Sequence, residues 1–88
     1  MHDLSIQHYI SSAVVLTRRL GMQDVADMIA TIEGVEIHAA EAGKIVVVIE
    51  GCSSGALGER LAEISALDGV LAANMVFEHM ETRGDDRP

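Results

Sequence analysis

The sequence predicts an α+β domain of element order β-α-β-β-α-β, and three observations carry the prediction. Two runs, 9–17 and 44–50, are rich in Val and Ile and apolar on both faces, as central strands are. Two stretches, 23–32 and about 54–67, carry apolar residues at helical spacing. The third observation is an internal echo: Ile32-Glu33-Gly34-Val35 and Leu67-Asp68-Gly69-Val70 share aliphatic, acid, Gly, Val where a helix should hand over to a strand. Two matching halves give the ferredoxin-like split-βαβ plan. Right-handed crossovers then place both helices on one face of a four-stranded antiparallel sheet, with strands one and three central.

In chain order, residues 1–7 read as a flexible tail and 8–80 as the domain. After the strand over 9–17, Arg18-Arg19-Leu20-Gly21 superficially resembles a twin-arginine export signal. A strand precedes it, and Asp24 and Asp27 interrupt the residues after it, so it reads as a solvated strand–helix connection. Over 23–32, Val25, Met28, Ile29 and Ile32 make the buried stripe, with Asp24 and Asp27 on the wet side. The acids lie in the first turns, where the helix dipole favours them, and Gly34 can stop the helix in a left-handed conformation. Val35, Ile37 and Ala39 alternate with polar or small residues, which marks a half-exposed strand over 35–41. Ala42-Gly43 supplies a tight turn into 44–50, making a hairpin. Ser53 or Ser54 can cap the second helix, whose stripe is Leu57, Leu61, Ile64 and Leu67. Residues 70–79 form the last strand, and 81–88, charged with Gly and Pro, reads as a second flexible tail.

Eighty-eight residues bound the chain to one domain, near the size at which a single core is just sufficient. Hydrophobic residues make up 49%, nearly all aliphatic, so the core is Val, Ile, Leu, Ala and Met. A net charge of −8 repels phosphate backbones and anionic lipid and attracts a basic peptide, so neither nucleic acid nor membrane is expected as a partner. One Tyr, one Phe and no Trp leave no platform for stacking bases. No apolar run approaches the roughly 20 residues that span a bilayer, and 1–7 lacks a signal-peptide pattern. The lone Cys52 excludes an internal disulfide. Together these predict a cytoplasmic protein.

Catalysis is not expected. Ser, His and acid residues are scattered, without a nucleophile elbow, and no basic neighbour activates Cys52. Gly51-Cys52-Ser53-Ser54-Gly55 precedes a helix but lacks the lysine of a phosphate loop, so it reads as a cap. His8 and His79 can face each other across strands one and four, yet two histidines are too few for a metal site. No cofactor is implied.

Taking the more apolar face of each strand as core assigns Ile10, Val14, Leu16, Val35, Ile37, Ala39, Ile45, Val47, Ile49, Leu71, Ala73, Met75 and Phe77 to the side under the helices. The other face then presents Ser11, Ala13, Val15, Glu36, His38, Val46, Val48, Ala72, Asn74, Val76 and Glu78, a small-residue aliphatic centre with acids toward its margins. A one-residue slip would exchange the two sets. Such a face is a candidate binding surface, for a peptide or for a second copy of the chain. A small-molecule regulatory module acting as a dimer is the alternative reading.

Four segments, His8-Tyr9-Ile10-Ser11-Ser12-Ala13-Val14-Val15, Ile32-Glu33-Gly34-Val35-Glu36-Ile37, Gly43-Lys44-Ile45-Val46-Val47-Val48-Ile49-Glu50 and Gly69-Val70-Leu71-Ala72-Ala73-Asn74-Met75-Val76-Phe77, resemble the NapD family in order and spacing. These are small cytoplasmic chaperones for the catalytic subunit of periplasmic nitrate reductase. The resemblance covers about 8–80 and implies a ferredoxin-like fold. It also implies binding of the twin-arginine signal peptide of the precursor, so that export waits for the molybdenum cofactor. The expected state is a monomer or weak homodimer. No catalytic motif comes with the resemblance, and the basic pair Arg18-Arg19 is unexpected beside a strand that receives a basic peptide.

Overall fold

The computed structural model describes residues 6–83. Strand β1 (Ile6–Thr17) leads through a single 3-10 turn (Arg19–Gly21) into α1 (Met22–Ile29). Strands β2 (Val35–Glu41) and β3 (Lys44–Gly51) form a hairpin, followed by α2 (Ser54–Ser65) and β4 (Val70–Arg83). The sheet order is β2-β3-β1-β4, antiparallel throughout, so β1 and β3 are central as the doubly apolar runs require. Both helices lie on one side. Val25, Ala26 and Ile29 of α1 and Leu57 and Ile64 of α2 pack onto Ala13, Val15, Ile45, Val47 and Ile49 of the central strands.

Local chemistry accounts for the boundaries. The Ser53 hydroxyl accepts a hydrogen bond from the Ala56 amide at 3.0 Å, capping α2. Helix α1 ends at Ile29, three residues short of the spacing-based expectation. The Thr31 hydroxyl bonds the Met28 carbonyl at 2.7 Å, and the chain then turns through Gly34, at φ +84°. A Cβ there would stand 2.9 Å from the Glu50 carbonyl oxygen, so only glycine fits.

At one end of the sheet β1 and β4 extend further than composition indicated. Ile6 pairs with Arg83, Gln7 with Thr82 and His8 with Glu81, so 6–7 and 81–83 are strand rather than flexible tail. Composition misses this because ladder hydrogen bonds come from the backbone, whatever the side chains. The expected tails over 1–5 and 84–88 lie outside the described residues.

The main correction concerns which face of β1 is buried. Residues opposite one another in a ladder share a face. Ser11 pairs with Ile49, Ala13 with Val47 and Val15 with Ile45. Ser11, Ala13 and Val15 are therefore under the helices, each 0% exposed, and Ile10, Val14 and Leu16 are on the opposite side. Strand β3 has the expected sidedness. Three irregularities then switch parity within the edge strands. Between Ile37 and Ala39 the register skips His38, which turns Ala39 out of the core. Between Met75 and Phe77 it skips Val76, leaving Met75 against the core and Phe77 56% exposed. Leu71 is skipped in the same way and is 60% exposed.

The hairpin turn has positive φ at both central residues, 54° at Ala42 and 84° at Gly43, the signature of a type I′ turn. A Cβ on Gly43 would lie 2.6 Å from the Thr17 carbonyl oxygen. Gly43→Ala should therefore lose about 1–3 kcal/mol. Ala42→Gly relieves about 1–2 kcal/mol of left-handed strain and returns part of it as unfolded-chain entropy, for a net gain of roughly 0.5–1 kcal/mol. Urea unfolding midpoints of the two variants should move in opposite directions.

Candidate functional site

The side of the sheet away from α1 and α2 is uncovered among the described residues. Its rows are set by the register. Lys44, Leu16 and Ala72 form one row, and Val46, Val14 and Asn74 the next. Val48, Ser12 and Phe77 come third, with Glu36 beside Val48, and Glu50, Ile10 and His79 fourth. The centre is aliphatic: Val14, Val46 and Val48 are half-buried against each other. Large apolar side chains continue to the margins, with Phe77 56%, Leu16 37% and Leu20 fully exposed. An apolar surface of this extent on one face marks a contact site.

Charge is sorted along the strands. Toward the end where β1 begins, Glu50 Oε1 lies 3.0 Å from His8 Nε2, and further in, beside Val48, Glu36 Oε1 lies 3.7 Å from His38 Nε2. Phe77 and His79 stack there, with ring centroids 6.2 Å apart and planes at 13°. At the opposite end stand Arg18, Arg19 and Lys44, all exposed, with Glu41 across the ladder from Lys44. A shallow depression of about 380 Å³ lies over the hairpin at that end, lined by Ala39, Glu41, Ala42, Lys44 and Val46.

The residues singled out from sequence divide in two. Glu36, Val46, Val48 and Asn74 lie on the open face, and His38 and Val76 are exposed beside it at register shifts. Ser11, Ala13 and Val15 do not: they are core, and no ligand can touch them without unfolding. Glu78 is also misplaced. It pairs with Ser11 on the helix side, where its carboxylate accepts a hydrogen bond from the Ser54 hydroxyl at 2.9 Å, at the positive end of α2. The open face instead takes Ile10, Ser12, Val14, Leu16, Phe77 and Glu50, which sequence reasoning assigned to the core or left unused. One signal was present: Ser11 and Ala13 are small enough to let helices approach closely.

His8 and His79 are not a facing pair, since His8 stands opposite Glu81 and His79 opposite Ile10. Among the described residues no three His, Cys, Asp or Glu side chains gather as metal ligands, and no helix is long and apolar enough to cross a membrane. Cys52 is free and exposed.

Fold and face together define the class: a ferredoxin-like α+β domain with helices over one side of its sheet and an uncovered aliphatic surface, edged by sorted charge, on the other. Residues 8–82 match the family model described as NapD protein. The chain belongs to the NapD family. It is 43% identical over 72 residues to Chaperone NapD of Paracoccus pantotrophus, covering 82% of this chain and 64% of that one. The chain thus spans just under two thirds of that relative's length. It is 26% identical over 81 residues to Chaperone NapD of Escherichia coli K12, covering 90% and 93%. The solution structure of the E. coli Tat proofreading chaperone protein NapD has the same fold, with a TM-score of 0.76 over 92% of this chain and 87% of that one at 24% identity.

The corrected sidedness is directly testable with two neighbouring substitutions. Ala13→Glu puts a carboxylate in a fully buried position, costing several kcal/mol against a typical total of about 5–15 kcal/mol, and should unfold the domain. Val14→Glu places the same group on the open face and should keep native far-UV circular dichroism and a cooperative thermal transition. A folded Ala13→Glu with an unfolded Val14→Glu would reverse the assignment.

Proposed function

We propose that this protein is a cytoplasmic chaperone, not an enzyme, which binds the twin-arginine signal peptide of the catalytic subunit of periplasmic nitrate reductase. Sequestering the peptide delays export until the molybdenum cofactor is inserted. The observation that carries the reading is the uncovered aliphatic face with Glu36 and Glu50 on its margin, in a chain of the NapD family. A signal peptide of this kind joins arginines to an apolar segment. Val14, Val46, Val48 and Phe77 supply apolar contact, and the two carboxylates accept charged hydrogen bonds.

Masking a signal is mass action, so the shielded fraction depends on the chaperone's concentration relative to Kd. The complex has to release for export, which favours an interface of modest area and a monomeric or weakly dimeric chaperone. Exposed ion pairs add only about 0.2–1 kcal/mol each, so the apolar contact supplies most of the affinity.

Titration calorimetry with a synthetic nitrate reductase signal peptide should give measurable binding that weakens moderately as salt rises. Val48→Glu should weaken it by about tenfold or more, equivalent to about 1.4 kcal/mol, while the domain stays folded. In cells, deletion should leave precursor synthesis intact and lower active periplasmic enzyme. Absence of peptide binding, or full periplasmic activity in the deletion strain, would remove the reading.

A further inference from the structure

The basic pair Arg18-Arg19 has no part in the proposed function as stated, and a peptide rich in arginine should avoid it. Its placement is specific. The Thr17 amide donates to the Gly43 carbonyl at 2.7 Å, which holds the β2–β3 hairpin against the end of β1. Lys44 thereby joins Arg18 and Arg19 at one end of the open face. None of the three forms an ion pair among the described residues. Glu41 stands opposite Lys44 in the ladder, which leaves Arg18 and Arg19 as the cations of this edge with no acid across the sheet from them. Asp24 and Asp68 are near the same end on the α1 side, lining with Val25 and Met28 a depression that meets the one beside Arg18 and Leu20 at Gly21 and Gly69.

Large apolar side chains are exposed toward both ends: Val76 and Phe77, 61% and 56% exposed, lie nearer Glu50, and three leucines lie at the basic end. Leu20 is 100% exposed, Leu71 60% and Leu16 37%. Leu20 and Leu71 border a depression of about 440 Å³ shared with Arg18 and Val70. The carboxylates of Glu36 and Glu50 lie toward the other end. From the row of Glu50 to the row of Lys44 is six residues, about 20 Å at strand rise, against a Debye length of about 8 Å in physiological salt. The two ends do not neutralise each other. A bound peptide meets them as separate fields.

Resting on the proposed function, we infer that Arg18, Arg19 and Lys44 fix the direction in which the signal peptide lies on the sheet. The arginine-bearing part sits at Glu36 and Glu50, and the apolar part runs toward Leu16, Leu20 and Leu71. Reversal would bring arginines against three cations and leave the carboxylates with only their histidine neighbours. Discrimination thus comes from a repulsive element as well as an attractive one. A purely apolar face would bind the peptide in either sense.

Paramagnetic relaxation tests the direction. A nitroxide on the exposed native Cys52, at the Glu50 end, should broaden resonances around the arginines of an isotopically labelled synthetic signal peptide. A nitroxide at Asp68→Cys in a Cys52→Ser background should broaden the far end of the apolar segment instead. Equal broadening of both peptide ends, or the opposite pattern, overturns the direction while leaving peptide binding in place. Binding that is absent by calorimetry removes the proposed function and the inference together. The triple variant Arg18→Glu, Arg19→Glu, Lys44→Glu, confirmed folded by circular dichroism, should still bind but show broadening at both peptide ends from either label. Retention of a single direction in that variant would mean that the basic end does not set it.

Discussion

The pairing of β1 with β3 is the constraint on which the rest of the molecule depends. Eight consecutive residue pairs, from Tyr9 with Gly51 to Leu16 with Lys44, lock the two central strands without interruption. Because side chains alternate strictly along a strand, this single register decides which half of β1 is covered by the helices. Ile45, Val47 and Ile49 are committed to the core, and Val15, Ala13 and Ser11 join them there. The edge strands are less regular. They break register at His38, Leu71 and Val76, and each break changes the face presented by the residues beyond it.

Burying the smaller half of β1 has consequences on both sides of the sheet. Under the helices, Ser11 and Ala13 leave room for Leu57, Ile64 and Ile29 to reach the strands at full burial. The accommodation is imperfect, since the Ser11 hydroxyl is buried without a hydrogen-bond partner, a cost of about 1–3 kcal/mol. On the other side, Ile10, Val14 and Leu16 remain at the surface beside Val46 and Val48. The core therefore does not take all the large aliphatics of the central strands. Those left outside it form a continuous apolar surface whose burial against a partner is favourable at about 25 cal/mol per Å².

Charge gives that surface a direction. Glu36, near the start of β2, and Glu50, near the end of β3, lie toward one end, while Arg18, Arg19 and Lys44 collect at the other because β1 ends where β3 begins. The antiparallel arrangement brings together polar side chains that are far apart in sequence, as with the 3.0 Å contact between His8 and Glu50, 42 positions along the chain. An acidic chain can in this way gather basic side chains at one edge of its open face.

The sequence by itself determined the elements and their order. Helical spacing at Val25 and Ile29 and at Leu57 and Ile64, the Ser53 cap, and the Ala42-Gly43 turn are readable because each depends on residues within a few positions. The central place of β1 and β3 was readable too, since only a strand covered by neighbours on both edges is so apolar throughout. The sidedness of β1 was not, because Ile10, Val14 and Leu16 look more core-like than Ser11, Ala13 and Val15 until the partner strand is known. Phe77 was misassigned for a related reason: an inserted residue at Val76 reverses parity without leaving a compositional trace. Glu78 and the strand residues 81–83 read as open-face acid and tail, yet cross-strand pairing decided both. Local periodicity is a property of the chain, whereas the face that a strand buries is a property of the pair. Only the tertiary structure could therefore separate the open surface from the core.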